Sequence, residues 1–216
     1  LLVLLAVDAL LGVGARPDAS VRRRFAAGLL LGLATACKYS AGIFGVVLLN
    51  DWSARVLQME EMMLSLGPAK GKDFATAVGP WLVTPDELEP HRIATPFGNS
   101  YDLRMTAHHN GRQVSDGNLK DMNWTFAELI ERASYGVELY PGDIIGSGTV
   151  CTGCYLELNG SWAIEAKARG ESHTPVWLNN GDTIELEIAG LGRLTNKIVK
   201  ADHDYSIMAK KKKSKG

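Results

Sequence analysis

The chain has 216 residues, 46 % of them hydrophobic and 22 % charged, with a formal charge of −1. That near-neutral balance argues against general attraction to nucleic acid or anionic membranes. Three cysteines, Cys37, Cys151 and Cys154, are too few to staple a secreted fold, so a reducing compartment such as the cytoplasm is the expectation.

The average conceals an asymmetry. Before residue 50 the only acids are Asp8 and Asp18. Two apolar runs fill that region, LLVLLAVDALLGVGA (1–15) and FAAGLLLGLATACKYSAGIFGVVLL (25–49), with Arg22, Arg23 and Arg24 between them. Crossing a bilayer takes about 20 apolar residues. The first run is short and carries Asp8; the second is long enough but carries Lys38 near its middle. Small residues are frequent, as in packed membrane helices. The basic cluster follows the first apolar run, which does not suit a cleavable leader. RRRFAAGLLLGLATACKYSAG (22–42) resembles a segment of multi-pass membrane glycosyltransferases of the dolichyl-phosphate-mannose type. The expectation is that 1–40 is an apolar, helical segment of foreign or uncertain origin. Membrane contact stays open but is not favoured.

Further along, VVLLNDWSAR (46–55) reads as a buried strand that ends in charged groups. LRMTAHHNGRQV (103–114) places Asn110-Gly111 between extended segments, a hairpin signal. TFAELIERASYG (125–136) predicts a helix. Thr125 and Glu128 have capping-box spacing, Phe126, Leu129, Ile130 and Ala133 form its apolar face, and Gly136 stops it. YLELNGSWAIEA (155–166) predicts a second hairpin turning at Asn159-Gly160. DTIELEIAGLGRLTNKIV (182–199) alternates Ile184, Leu186 and Ile188 against Glu185 and Glu187, then turns at Gly190 and Gly192. The body from 41 to 205 is thus expected to be α+β and mainly β. The tail 206–216, with five lysines in AKKKKSKG, reads as a solvated end.

Several motifs in order resemble the fumarylacetoacetate hydrolase family: NDWSARVLQ (50–58), LGPAKGKDF (66–74), GPWLVTPDEL (79–88), PGDIIGSGT (141–149), GCYLEL (153–158) and NNGDTIELEIAGLGRLTNKI (179–198). The likeness runs from Ile43 to Val199. It implies a mixed β-sandwich roll, a homodimer and a bound divalent cation, Mg²⁺ or else Ca²⁺ or Mn²⁺. It also implies hydrolytic cleavage of a C–C bond in fumarylacetoacetate or related acylpyruvate-type dioxo acids, as in tyrosine and other aromatic catabolism. Isomerase or decarboxylase chemistry is the alternative within the family. A hard cation suits such substrates because it binds neighbouring enol and keto oxygens and stabilises the enolate that leaves.

The resemblance implies roles residue by residue. Asp51 is a metal ligand at a strand end. Arg55 and Gln58, one helical turn apart, bind substrate and polarise its carbonyl or carboxylate, where the planar guanidinium fork matches a carboxylate. Lys72 points at the metal and the substrate oxygens, and Thr76 contributes to the metal site. Thr149, closing GSGT, bonds the substrate carboxylate. Glu157, read on an alternating strand, orients a histidine that activates water.

Cys151-Thr152-Gly153-Cys154 offers two thiols where a structural zinc site wants four ligands. Cys37 and His91, His108, His109, His173 and His203 have no partner spacing. Thioredoxin-like reactivity wants such a pair at a helix N-terminus, and here it reads as entering a strand. Neither zinc nor redox chemistry is expected.

The family also draws two metal carboxylates from a Glu-x-Glu stretch, and its histidine, from upstream of the NDWSAR motif. Residues 1–42 contain no Glu and no His. The expectation is therefore an N-terminally truncated domain with one metal carboxylate of three. A catalytically inactive domain with an anchoring or subunit-contact role is the alternative.

Overall fold

The computed structural model describes residues 2–9, 42–63, 65 and 67–202, with side chains from Phe44 onward. In chain order the elements are β1 (Leu2–Ala9), β2 (Gly42–Asn50), α1 (Arg55–Met62), β3 (Ala77–Val78), β4 (Arg92–Thr95), β5 (Gly98–Tyr101), β6 (Arg104–His109), β7 (Arg112–Asn118), α2 (Phe126–Ala133), β8 (Ile144–Thr149), α3 (Tyr155–Ala168), β9 (Thr183–Ile188) and β10 (Gly192–Lys197). Strand outweighs helix, as expected. The described strands form two four-stranded antiparallel sheets, ordered β3-β2-β1-β8 and β10-β9-β6-β7, and a β4-β5 hairpin.

The core lies where these sheets meet. Val46, Leu48, Leu88, Leu103, Met105, Ile188 and Leu191 are almost wholly buried and belong to one cluster. Val47 and Leu49 are buried on the other side of β2. Burial on both faces explains the continuous apolar run of this strand. Along β9, Ile184, Leu186 and Ile188 are buried between more exposed residues, the alternation expected there.

The Asn110-Gly111 hairpin joins β6 to β7, with positive φ at both positions (49° and 79°), as a tight two-residue turn requires. Gly190 and Gly192 likewise carry positive φ in the β9–β10 turn. Helix α2 begins with the full capping box. The Thr125 hydroxyl accepts from the Glu128 amide, and the Glu128 carboxylate accepts from the Thr125 amide at 2.8 Å. Phe126 docks the helix against Phe44 and Tyr101, with ring centroids 6.3 and 6.1 Å away.

Two expectations are corrected. Leu2–Ala9, expected within a helical segment, pairs as a strand with β2 and β8. A short, mostly apolar run has no periodicity that separates a helix from a strand. Residues 10–41, which hold the expected domain boundary and the rest of the membrane-like text, lie outside the described residues, as does the lysine tail. Among the described residues no helix is long and apolar enough to cross a membrane.

Residues 155–166, expected as a hairpin, are instead part of the 14-residue helix α3. Leu, Glu, Ala and Lys favour helix there, and Gly160 sits inside it at a modest cost. Asn159 does not turn the chain. It is buried, accepts from the Val176 amide and donates to the Val176 carbonyl, both at 2.8 Å, and so pins the following loop to α3.

Candidate active site

Strand β2 is the rail on which the site is built. Its buried Val46–Leu49 segment fixes where Asn50 and Asp51 emerge. The chain then turns into α1, whose first residue is Arg55. Strand β3 returns against β2, pairing Leu49 with Val78 and Asn50 with Ala77. Thr76 is exposed and directly precedes β3.

The loop before β3 brings Lys72 back to the strand end. Lys72 Nζ donates to Asp51 Oδ2 at 2.9 Å, and both side chains are about 30 % exposed (30 % and 27 %). Arg55 sits one turn before Gln58, as the spacing predicts, and its Nη1 donates to Gln58 Oε1 at 2.6 Å. Its other arm, Nη2, donates to Cys154 Sγ at 3.0 Å, tying α1 to the start of α3. Asp51, Lys72, Arg55 and Gln58 thus share the end of β2, the start of α1 and one returning loop.

Thr149 and Glu157 are placed differently. Thr149 ends β8 and, with Met105, Leu119, Met122, Val150 and Cys151 among others, lines a cavity of about 120 Å³. Glu157 is not on a strand. It lies in the first turn of α3, where its carboxylate accepts the Thr152 amide with both oxygens, at 3.0 and 3.1 Å. An acid in a first turn is favoured by the helix dipole. Glu157 also accepts from the Cys151 thiol at 3.5 Å, and that contact pushes the Cys151 pKa up. The Cys151–Cys154 pair, read as entering a strand, instead precedes a helix, with Cys154 as the N-cap residue of α3.

Three residues here were outside the expected set. Cys154 contacts Arg55, as noted. Glu61, near the end of α1, accepts from the amides of Ala69, Lys70 and Gly71 at 3.0, 2.7 and 2.8 Å. These bonds, led by that from Gly71, lower its pKa. Asn50 is buried, and among the described residues its Nδ2 has no hydrogen-bond partner. An unmet buried donor costs about 1–3 kcal/mol. No spacing rule marks these three. Only Asn50 carried a hint, by preceding Asp51 on a strand buried on both faces.

A divalent cation at this strand end would find one carboxylate, Asp51, already paired to Lys72. Among the described residues no three His, Cys, Asp or Glu side chains gather as a metal site. The orphaned polar atom nearby, Asn50 Nδ2, is a donor and cannot ligate. This donor set does not by itself fit Mg²⁺ or Ca²⁺, which want six or more oxygens.

Residues 35–199 match the fumarylacetoacetate (FAA) hydrolase C-terminal family, and the chain belongs to that family. It is similar to the fumarylacetoacetase of Arabidopsis thaliana, 31 % identical over 191 residues that cover 73 % of this chain and 45 % of the relative. The Homo sapiens fumarylacetoacetase is 34 % identical over 68 % of this chain and 39 % of its own length. The chain spans less than half the length of these curated relatives. Among solved structures, the fumarylacetoacetate hydrolase of Exiguobacterium antarcticum matches with a TM-score of 0.52 at 22 % identity, covering 93 % of this chain and 57 % of that one. The 5-carboxymethyl-2-hydroxymuconate delta-isomerase of Mycobacterium smegmatis matches at 0.53 and 18 %, covering 94 % and 58 %. These structures establish a shared fold.

Proposed function

We propose that this domain serves hydrolytic cleavage of a C–C bond in an acylpyruvate-type dioxo acid, with fumarylacetoacetate as the leading candidate. The observation that carries the reading is the convergence at the end of β2 of an ion-paired Asp51–Lys72 with the Arg55–Gln58 pair. The named activity of the curated relatives supports it.

Such a substrate brings a carboxylate and two carbonyl oxygens. Arg55 is the residue of choice for the carboxylate, because its planar fork donates two parallel hydrogen bonds. Gln58 holds the guanidinium from one side and fixes its plane. The Lys72 ammonium, fixed by Asp51, is a preset positive charge near which an enolate oxygen can develop. A divalent cation is carried in this proposal from the family likeness, with Asp51 as the described carboxylate that could reach it. The steps assigned to Arg55, Gln58 and Lys72 do not pass through that cation. A homodimer belongs to the same proposal, supported by exposed Val78, Trp81 and Leu82 following the site loop.

The test is loss of ultraviolet absorbance of an acylpyruvate or of fumarylacetoacetate on adding the purified chain with Mg²⁺ or Mn²⁺. Expected is a turnover that Asp51→Ala abolishes, with an EDTA control that reads whether a cation takes part. Absence of turnover in a folded sample would overturn the reading. It would favour a catalytically inactive family domain, to which the single described carboxylate already points. Conversion of the substrate without C–C cleavage would favour the isomerase alternative.

A further inference from the structure

We infer that Glu61 is a positioning residue of the site: its carboxylate fixes the loop that presents Lys72 to Asp51. The inference rests on reading Lys72 as a site residue and adds to it the element that sets its place.

Glu61 lies next to the last residue of α1 (Arg55–Met62). A carboxylate at a helix C-terminus opposes the helix dipole, so helix stability does not account for it there. Its bonds do. Oε1 takes the Lys70 amide, and Oε2 takes the Ala69 and Gly71 amides, at 2.7–3.0 Å. Three successive backbone donors converge on one side chain, a nest that otherwise suits an anion. The neighbouring cation does not compete, because Lys70 Nζ pairs with Asp73 at 2.8 Å.

The turn so gripped is also fixed at its base. The Lys72 and Asp73 amides return to the Ala69 carbonyl at 3.1 and 3.0 Å. The Gly71 carbonyl accepts from the Ala54 amide at 2.9 Å, one residue before Arg55. Gly71 is buried so closely on α1 that a Cβ there would lie 2.8 Å from Gln58 Cα. Lys72 leaves the loop directly after this anchored residue and reaches Asp51. Arg55 and Gln58, on α1, and Lys72, on the loop, are therefore locked in one frame through Glu61 and Gly71.

Glu61→Ala removes both acceptor oxygens and so all three hydrogen bonds. Glu61→Gln keeps one oxygen for two of the donors and turns its own N–H groups toward the third, so it should rescue in part.

The experiment is per-lysine reductive methylation of the full chain, read by peptide mass spectrometry, with thermal unfolding alongside. In the wild type Lys72 should react slowly because it is paired and half-buried. Glu61→Ala should speed Lys72 several-fold, Glu61→Gln less, while Lys120, Lys167 and Lys197 keep their rates. Asp51→Asn marks the fully released rate. A lower unfolding midpoint with an unchanged Lys72 rate would make Glu61 merely structural and overturn the inference. Where the wild type turns over an acylpyruvate, Glu61→Ala should lower kcat by about 10²-fold, the scale set by ångström-level misplacement, with less change in KM. An unchanged kcat would also count against it. A wild type without turnover would sink the proposed function, while the methylation rates would still decide the role of Glu61.

Discussion

The middle and the C-terminal end of strand β2 belong to differently built parts of the molecule. Its middle sinks into a body held by apolar burial, in which Leu48, Leu88, Leu103, Met105, Ile188 and Leu191 are each less than 2 % exposed or at that level. Its C-terminal end opens onto residues 51–74, where α1 has no buried residue and no side-chain N-cap bond. Trp52 packs this part against the core, and the rest of its contacts are polar: Lys72 to Asp51, Arg55 to Gln58 and Cys154, and three amides to Glu61. Apolar packing fixes where the strand ends but carries little directional information. Hydrogen bonds to charged groups are directional, and they set the angles at which the site residues meet. Stability and site geometry are therefore expected to respond to different substitutions.

Leu103→Ala attacks the first part and should have the largest effect. A fully buried leucine cut to alanine costs about 2–5 kcal/mol, read as a lower urea midpoint with an unchanged slope. A loss under about 1 kcal/mol would mean that the body is not held by this cluster.

Asp182→Asn tests a polar contact placed inside the apolar part. Asp182 accepts from Asn110 Nδ2 at 2.8 Å and from the Asn179 amide at 2.6 Å, and lies 3.0 Å from His109 Nε2. These partners, the Asn110 bond first, lower its pKa from 3.8 to about 2. A depressed carboxylate stabilises above its unfolded pKa and loses that contribution as pH falls through the folded one. The wild-type unfolding temperature should therefore drop between about pH 4 and pH 2, and Asp182→Asn should flatten that drop. An unchanged acid slope would remove Asp182 from the account.

Val56→Ala should have the smallest effect. Val56 is 77 % exposed on α1, and alanine favours helix over valine by a few tenths of a kcal/mol. Thermal unfolding should move by less than about 0.5 kcal/mol in equivalent stability. A large loss would show that α1 is packed after all, and the contrast between the two parts would fail.

Much of the body is legible in the sequence alone. The alternation around Ile184–Ile188, the Asn110-Gly111 turn and the Thr125/Glu128 box each act within a few residues, so local chemistry decides them. Asp51 could be set at a strand end because a short apolar run stops abruptly at it. The failures also share a cause. LELNGSWAIEA reads as a hairpin if Asn-Gly is taken to turn, but Asn159 has a buried partner 17 residues away in Val176, and that contact is invisible along the chain. The apolar text of Leu2–Ala9 lacks any period, so strand and helix were not separable there. Glu61 and Cys154 escaped because their roles arise from contacts to a loop and to a helix 99 positions away in the case of Arg55 and Cys154. Motif likeness singled out Arg55, Gln58 and Lys72, which the structure brings together at the end of β2, and it is silent on what holds them.

The bond from Arg55 to Cys154 has a consequence for how a ligand could enter. Sulfur is a weak acceptor, and with Gln58 Oε1 taking the other arm it holds the guanidinium between two neutral partners. On the proposed reading, an incoming carboxylate would displace a soft placeholder, since among the described residues Arg55 makes no ion pair. The cost of exchange is small, and the side-chain entropy of a long, flexible arginine has already been surrendered on folding. Cys154 thus resembles a latch that holds a tool in its rack: firm enough to keep it oriented, loose enough to release it to the first anion that arrives.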